Sequence, residues 1–352
     1  MAWRYCYKDV LPFSGMVAAE CINVGLNILF KASTSKGLSY YVFILYSSAI
    51  GTLVLLPFHL AFIFRGTTGL PTIKWPIINR IFLLGLMGFL AQLCGYKGIE
   101  FSSPTLASAI SNLTPAWTYI LAVIFSMENL ALRSSITQVK IIGTLVSISG
   151  ALVVVFYKGP TIISPSQSLS LSPHSPRGTS ETKWVIGGLL LAVEYLLLSG
   201  CSTLQTQVLK IYPAEIVVVF LYVLCTAIIS APVCLMAERS LHAWTLRPDV
   251  TLVTILYSGF FGSSMSIVIA WALHLKGPVY VSIFKPLSIV IAAAMGVIFL
   301  GDALYLGSLI GAIILSIGFY AVIWAKAKEE LSLGSSSDDK TPLLNSYKFE
   351  GC

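Results

Sequence analysis

Few side chains in this sequence could do chemistry, and those that could stand inside apolar runs. Glu20 lies in "VAAECINVGLNILF" (17–30), and Asn23 and Asn27 follow it at i+3 and i+7, so one helix face carries all three. A carboxylate at the centre of a bilayer costs about 2.5–3.5 kcal/mol on insertion scales, so such a group faces a partner or a wet cavity. Glu194 repeats the arrangement, heading a stripe that continues through Cys201 and Gln205. Lys285 is the basic residue placed well inside a run, and a buried ammonium needs a carboxylate, which Glu20 or Glu194 could supply. A zwitterion would suit the same set, with its carboxylate at Lys285 or a helix end and its ammonium at a glutamate.

Two more polar faces accompany these charges. Gln92, Tyr96 and Glu100 recur at i+4 beside Gly85 and Gly88, with Glu100 at the membrane edge. Ser108, Asn112, Pro115 and Tyr119 form one continuous face of the next run. Pro115 removes a helical hydrogen bond and leaves the Ser111 carbonyl free, and Pro286 does the same for Ser282; the two prolines correspond after a three-residue slip. Trp271, Tyr96 and Tyr119 could stack against a ring, although aromatic residues in such helices commonly serve packing.

None of this resembles catalysis. The histidines, His59, His174, His242 and His274, make no HExxH, and P-loop, GxGxxG and GxSxG patterns are absent. Of the seven cysteines, Cys21, Cys94, Cys201, Cys225 and Cys234 fall inside apolar runs and no CxxC occurs, so neither a disulfide framework nor a zinc site is expected, and no cofactor is indicated.

The elements that must position these residues are membrane spans. Hydrophobic residues make up 56% of the 352 and charged residues 11%, with mean hydropathy +0.85, far from the soluble balance. Runs long enough to cross about 30 Å of hydrocarbon fall at 11–30, 41–63, 81–101, 104–126, 136–157, 184–205, 213–236, 251–273, 279–300 and 304–325. The predicted fold class is therefore an all-α integral membrane protein of ten helices. The first run is no cleaved signal: it is long, polar at Glu20, Asn23 and Asn27, and followed by further spans. The net charge of +7 is spread over loops and tail without a basic block, which suits anionic lipid rather than nucleic acid. With the N-terminus cytosolic, thirteen Lys and Arg residues fall inside, Lys140 among them, against eight outside.

A shift of 174 aligns the two halves. It pairs Glu20 with Glu194, Arg65 with Arg239, Gly85 with Gly259, Gly88 with Gly262, Pro104 with Pro278, Ser108 with Ser282 and Glu128 with Asp302. At a shift of 168, "IIGTLVSISG" (141–150) meets "LIGAIILSIG" (309–318). Five spans per half reverse the second half's entry into the membrane, which makes the repeat inverted and places a binding site near the midplane between halves. The expected organisation is a cytosolic N-terminus (1–10), a first repeat (11–157), a Ser/Pro-rich solvated loop (158–183), a second repeat (184–325) and a disordered cytosolic tail (326–352). Within the tail, Asp339, Leu343 and Leu344 have the spacing of an acidic dileucine signal read by adaptor proteins.

Three stretches, "SPTLASAISNLTPAWTYILAVIF" (103–125), "GPVYVSIFKPLSIVIAAAMGVIFLGDALYLGSLIGA" (277–312) and "GFYAVIWAKAKEE" (318–330), resemble a plant family of the drug/metabolite transporter superfamily, the walls-are-thin-related or nodulin-21-like (UmamiT) proteins. The resemblance covers almost the whole chain. It implies two EamA repeats, ten helices and bidirectional movement of amino acids, with auxin carried by some relatives. It also implies a substrate cavity lined by spans 1, 3, 4, 6, 8 and 9, the spans that bear Glu20, Asn23, Asn27, Gln92, Tyr96, Asn112, Pro115, Tyr119, Glu194, Trp271, Lys285 and Pro286. The expected activity is export or facilitated movement of amino acids by alternating access. Carriage of auxin or another indolic acid is the second reading, and a non-transporting scaffold that directs a partner's trafficking is a third from another class. The expected partners are a small-molecule substrate, lipid and tail-bound adaptors, in the plasma or vacuolar membrane, as monomer or homodimer.

Overall fold

The computed structural model describes residues 10–64, 74–102, 104–125, 127, 134–157, 160–163, 177–246, 248–285, 287–295, 304–307 and most positions from 310 to 328. In chain order the helices are α1 (Leu11–Thr34), α2 (Tyr40–Phe64), α3 (Trp75–Phe101), α4 (Pro104–Ile110), α5 (Thr114–Ile124), α6 (Ser135–Phe156), α7 (Arg177–Ile211), α8 (Glu215–Ala237), α9 (Val250–Tyr257), α10 (Ser263–Lys276), α11 (Pro278–Ser282) and α12 (Leu287–Met295). The described positions from 306 to 328 are helical as well. Two short strands, β1 (Thr161–Ile163) and β2 (Leu304–Tyr305), pair antiparallel and tie together two interhelical connections.

Among the described residues, seven segments are long and apolar enough to cross a membrane: Leu11–Thr34, Tyr40–Phe64, Trp75–Phe101, Leu106–Ile124, Val185–Ile211, Glu215–Ala237 and Val250–Lys276. Their outer faces carry large exposed apolar side chains such as Leu53, Phe64, Trp75, Phe82, Leu189 and Ile228, as a lipid-facing surface must. The chain is an integral, multi-pass membrane protein. α7 begins at Arg177, so the helix extends into the stretch expected to be a solvated loop up to 183.

Sequence punctuation sets several boundaries. Proline stands in the first turn of α3, α5 and α11, where its missing N–H has no intrahelical partner to lose. Gly277, at φ 84°, makes the sharp reversal between α10 and α11 with open space around it, so conformation and not crowding demands glycine there.

Small residues set how closely the helices approach, because lipid tails are as apolar as the helices and give them no hydrophobic reason to associate. On α3, a side chain at Gly85 would meet Cys225 Cβ at 2.7 Å on α8, and one at Gly98 would meet Leu191 Cγ at 2.8 Å on α7. Gly259 presses against Ile50 of α2 in the same way. On α6, Gly143 faces Gly318, whose carbonyl would lie 2.9 Å from an added Cβ. Where α1, α2 and α3 meet, Phe30, Phe43 and Tyr96 form a ring cluster with centroids 4.6–5.0 Å apart, each such pair contributing about 0.5–1.5 kcal/mol beyond area burial.

Candidate functional site

The site is built around two helices that lose their α-helical register. Between α4 and α5 the chain tightens into a 3₁₀ turn over Ser111–Leu113, closed by the Thr114 N–H donating to the Ser111 carbonyl. Between α11 and α12, the Lys285 N–H donates to the Ser282 carbonyl at 3.1 Å. The carbonyls of Ser111 and Ser282, expected to be left free by prolines four residues on, are thus each taken by the N–H three residues on. This is the cheapest repair in a medium without water, because an i→i+3 bond needs only local tightening of the same helix. Both serines also turn their hydroxyls back, Ser111 Oγ onto the Ser108 carbonyl at 2.7 Å and Ser282 Oγ onto the Val279 carbonyl at 2.8 Å. The two breaks touch, Ser111 Oγ lying 3.1 Å from Ser288 Oγ.

Lys285 stands at the second break. Its Nζ lies 2.8 Å from Oε1 of Glu20 on α1, and Glu20 is only 2% exposed. The other oxygen, Oε2, is buried without a protein partner. Glu194 on α7 folds onto Gly95 of α3, where any side chain would collide with its carboxyl group, and its Oε2 is likewise buried and unpartnered.

Across Gly95 from Glu194 is a polar cavity of about 150 Å³. Its walls include Gln92 and Tyr96 of α3, Ser47 and Ser48 of α2, and Tyr222 and Thr226 of α8. A fourth wall is a π-helical turn over Ser258–Gly262 joining α9 to α10, with Ser263 and Ser266 beyond it. A π turn widens the helix by one residue, which exposes side chains and backbone to the cavity that an α-helix would cover. The Gln92 Oε1 acceptor is buried with no protein partner. Leu26 also lines the cavity, six residues beyond Glu20 on α1, so the ion pair lies about 9 Å along the helix axis from that wall. Gln92 and Tyr96 flank Gly95, which links the cavity wall to Glu194.

The remaining expected residues lie around this centre. Asn23 is half-buried and Asn27 buried on α1, neither lining the cavity. Asn112 is buried in the 3₁₀ turn and donates from Nδ2 to the Ser108 carbonyl at 3.1 Å, a bond within its own helix. Pro115 and Tyr119 line a separate small pocket with Lys140, Thr144 and Ile283. Trp271 is half-buried on α10 and is not part of the polar cavity's lining. Pro286, Asp339, Leu343 and Leu344 lie outside the described residues.

Sequence reasoning missed the hydroxyl lining. The Ser/Gly cluster of "SGFFGSSMS" (258–266) and the Ser47–Ser48 pair were its visible signal, since small hydroxylated residues interrupt otherwise apolar runs there. Lys140, counted among the inner-side charges, is buried near the start of α6; four lysine methylenes let a residue near a helix end reach inward.

One end of the bundle is tied shut by α1. Lys31 Nζ donates to the carbonyls of Ile99, Glu100 and Ser102 at 2.8, 2.9 and 2.7 Å, capping the C-terminus of α3 where the helix dipole favours a cation. Ser33 Oγ and Thr254 Oγ1 are 2.6 Å apart, and Lys36 pairs with Asp249 at 2.9 Å. The Lys36 hydrogen bond, with help from the Val250 N–H, holds the Asp249 carboxyl below its ordinary range. At the opposite end, His274 of α10 bonds Glu215 at the start of α8.

Residues 15–156 match the EamA-like transporter family. With the multi-pass helical fold, that match makes the chain a membrane transporter and not an enzyme, with a small-molecule substrate and lipid as its partners. Over 355 residues it is 55% identical to the WAT1-related protein At5g40240 of Arabidopsis thaliana, covering 99% of this chain and 96% of that protein. It is 52% identical over 351 residues to the WAT1-related protein At4g15540 of the same plant, covering 99% and 98%. The chain belongs to the plant WAT1-related protein family. A crystal structure with 15% sequence identity shares the fold, with a TM-score of 0.62 over 92% of this chain and 99% of its own.

Proposed function

We propose that this transporter is a bidirectional facilitator or exporter of amino acids, working by alternating access across ten helices arranged as two inverted five-helix EamA repeats (11–157 and 184–325). The single observation that carries the substrate class is the polar cavity walled by serine hydroxyls with an orphaned acceptor at Gln92, on the same helix bundle as the Glu20–Lys285 pair. A zwitterion satisfies all of it. Its ammonium suits the orphaned Gln92 Oε1 and its carboxylate the serine hydroxyls that share the cavity wall, so groups that would be costly to leave unpaired in the membrane gain partners on binding.

Several contacts support the repeat. Exchanging the halves maps α3 packed on α7 and α8 onto the α9–α10 segment packed on α1 and α2. Gly85 against Cys225 then corresponds to Gly259 against Ile50. The two breaks share one pattern of hydrogen bonds at a shift of 171, with Ser111 and Thr114 matching Ser282 and Lys285. Prolines inside helices recur at Pro57 and Pro232. The β1–β2 ladder joins two connections that this topology puts on one side of the membrane.

The second reading, an indolic acid such as auxin, draws on Tyr96 and Tyr222 in the cavity wall. Size favours a small amino acid: a cavity of about 150 Å³ holds a ligand near the bulk of benzene, which alanine or serine matches and an indolic acid exceeds. The test is flux of a labelled amino-acid panel and indole-3-acetate in proteoliposomes of the purified protein. Amino-acid flux in both directions supports this reading. Flux of indole-3-acetate alone promotes the second, and no flux of any compound supports the trafficking scaffold.

A further inference from the structure

A row of hydroxyls lines the seam between α5 and α7. α4 leaves the end tied by Lys31 directly after α3, so α5, which follows the 3₁₀ break, runs away from that end. α7 runs the same way, antiparallel to α3: Leu191 meets Gly98, Glu194 meets Gly95 and Gly200 meets Met87. On α5, Pro115, Tyr119 and Ala122 turn toward Val279 and Ile283. Thr114 and Thr118 lie on the adjoining face, toward α7, where Ser199 Oγ reaches the Thr114 carbonyl at 3.4 Å.

The two sides of the seam differ in what they have left to offer. On α7 the hydroxyls of Ser199, Thr203 and Thr206 donate to carbonyls of their own helix at 2.8, 2.9 and 2.8 Å, which uses their hydrogens and leaves their oxygens as acceptors. On α5, Thr114 Oγ1, Thr118 Oγ1 and Trp117 Nε1 are buried with no partner, and Thr114 and Thr118 are 3% and 0% exposed. These three donors fall within an arc of about 100° on one helix. Such groups are costly to leave unpaired in a membrane, and packing does not require them. A shift of 174 takes Thr118 to Ala292 and Ser199 to Gly25, and there α12 packs on α1 through the apolar Val24, Ile28, Ala292 and Met295.

We propose that the α5–α7 seam is the passage from the substrate site to the end of the bundle opposite Lys31, and that Thr114, Trp117 and Thr118 bind the ligand's carboxylate as it passes. Resting on the amino-acid reading above, the chemistry matches donor to acceptor. Two hydroxyls and an indole N–H offer hydrogens to a carboxylate, and the hydroxyl oxygens of α7 accept from an ammonium or from the water that travels with it. The seam is closed in this structure, and its donors gain partners when α5 and α7 part. Passage needs no exchanged ion, as facilitated movement requires.

The test is the reactivity of Thr118→Cys with a membrane-impermeant thiol reagent in oriented vesicles, with the unsubstituted chain as background and Ala292→Cys as the comparison. Labelling of Thr118→Cys is expected from the face opposite Lys31, faster than that of Ala292→Cys and suppressed by saturating alanine. Thr118→Val keeps the shape and removes the donor, so flux of labelled alanine should fall about five- to tenfold and return with Thr118→Ser, whereas a merely structural hydroxyl would leave flux unchanged. No reaction at Thr118→Cys from that face, or wild-type flux in Thr118→Val, overturns the proposal. Amino-acid flux with an unreactive Thr118→Cys sinks the passage and leaves the amino-acid reading standing; a reactive Thr118→Cys in a chain that moves no amino acid does the reverse.

Discussion

Ser111 and Ser288 meet hydroxyl to hydroxyl at 3.1 Å where two helices, one from each half of the chain, give up their α-helical register. This contact joins the two breaks into one structural unit. Ser111→Ala and Ser288→Ala should each cost little, about 0.6 kcal/mol, the average for hydrogen bonds between membrane helices. Ser111→Leu forces added bulk into the crossing and should cost about 1–3 kcal/mol. Thermal unfolding in detergent distinguishes the two, and a Ser111→Leu variant as stable as wild type would show that the crossing is not tightly packed.

The Glu20–Lys285 pair makes a sharper prediction. Replacing Lys285 by Met leaves the Glu20 carboxylate without its cation and should cost about 3–5 kcal/mol if the carboxylate stays charged, less if it takes up a proton. Adding Glu20→Gln should recover much of that loss, because the orphaned charge disappears with its partner. Additive losses in a double-mutant cycle would deny the interaction.

Lys31 should act on access to the cavity. Lys31→Met leaves three carbonyls at the end of α3 without their ammonium, which weakens the tie between α1 and α3 at that end of the bundle. A cysteine at Ser48 should then react faster with a water-soluble thiol reagent from that side than it does in the unsubstituted tie. Equal rates would mean that Lys31 caps the helix without holding the end closed.

Glycine contacts define the packing of the last helix. Gly318→Val would drive a side chain into the Gly143 carbonyl, which an added Cβ already approaches to 2.6 Å. The Ser147 hydroxyl could turn away but the Gly143 carbonyl and Ser147 backbone cannot, so loss of folded protein is expected on size-exclusion chromatography, whereas Ala at the uncrowded Gly188 should be tolerated.

The Lys36–Asp249 pair predicts a weak pH dependence. Because the folded-state carboxyl is held below its unfolded value near 3.9, its contribution is fully present above that value and disappears as pH falls through the lower folded one. The stability difference between wild type and Asp249→Asn should be small, constant from pH 5 to pH 8 by this reasoning, and vanish in stronger acid. A difference that grew on acidification would reverse the sign.

Much of this was legible in the sequence because the bilayer makes polar residues conspicuous. Glu20, Glu194 and Lys285 announce themselves against apolar neighbours; the need of a buried ammonium for a carboxylate left both glutamates open as its partner, and the structure pairs it with Glu20. Gln92 and Tyr96 line the cavity as their spacing suggested. The hydroxyl wall was harder to see, since serine is inexpensive in a membrane helix and Ser258, Ser263 and Ser266 gain meaning only through the π turn that aims them. The burial of Lys140 was hard to see for another reason: a lysine near a helix end can reach solvent or interior, and hydropathy does not tell which. Ser111 and Ser282 show that a proline's orphaned carbonyl is readable from sequence, while its repair by the N–H three residues on is a matter of geometry.

Alternating exposure of the polar cavity is tested most directly at Ser263, which is buried in its wall on α10. Ser263→Cys would be labelled with a membrane-impermeant thiol reagent from each face of oriented vesicles, with the unsubstituted chain as background and with or without saturating amino acid. The account predicts labelling from both faces at rates that substrate changes in opposite directions or suppresses together. Labelling from one face alone, untouched by any amino acid, would contradict it.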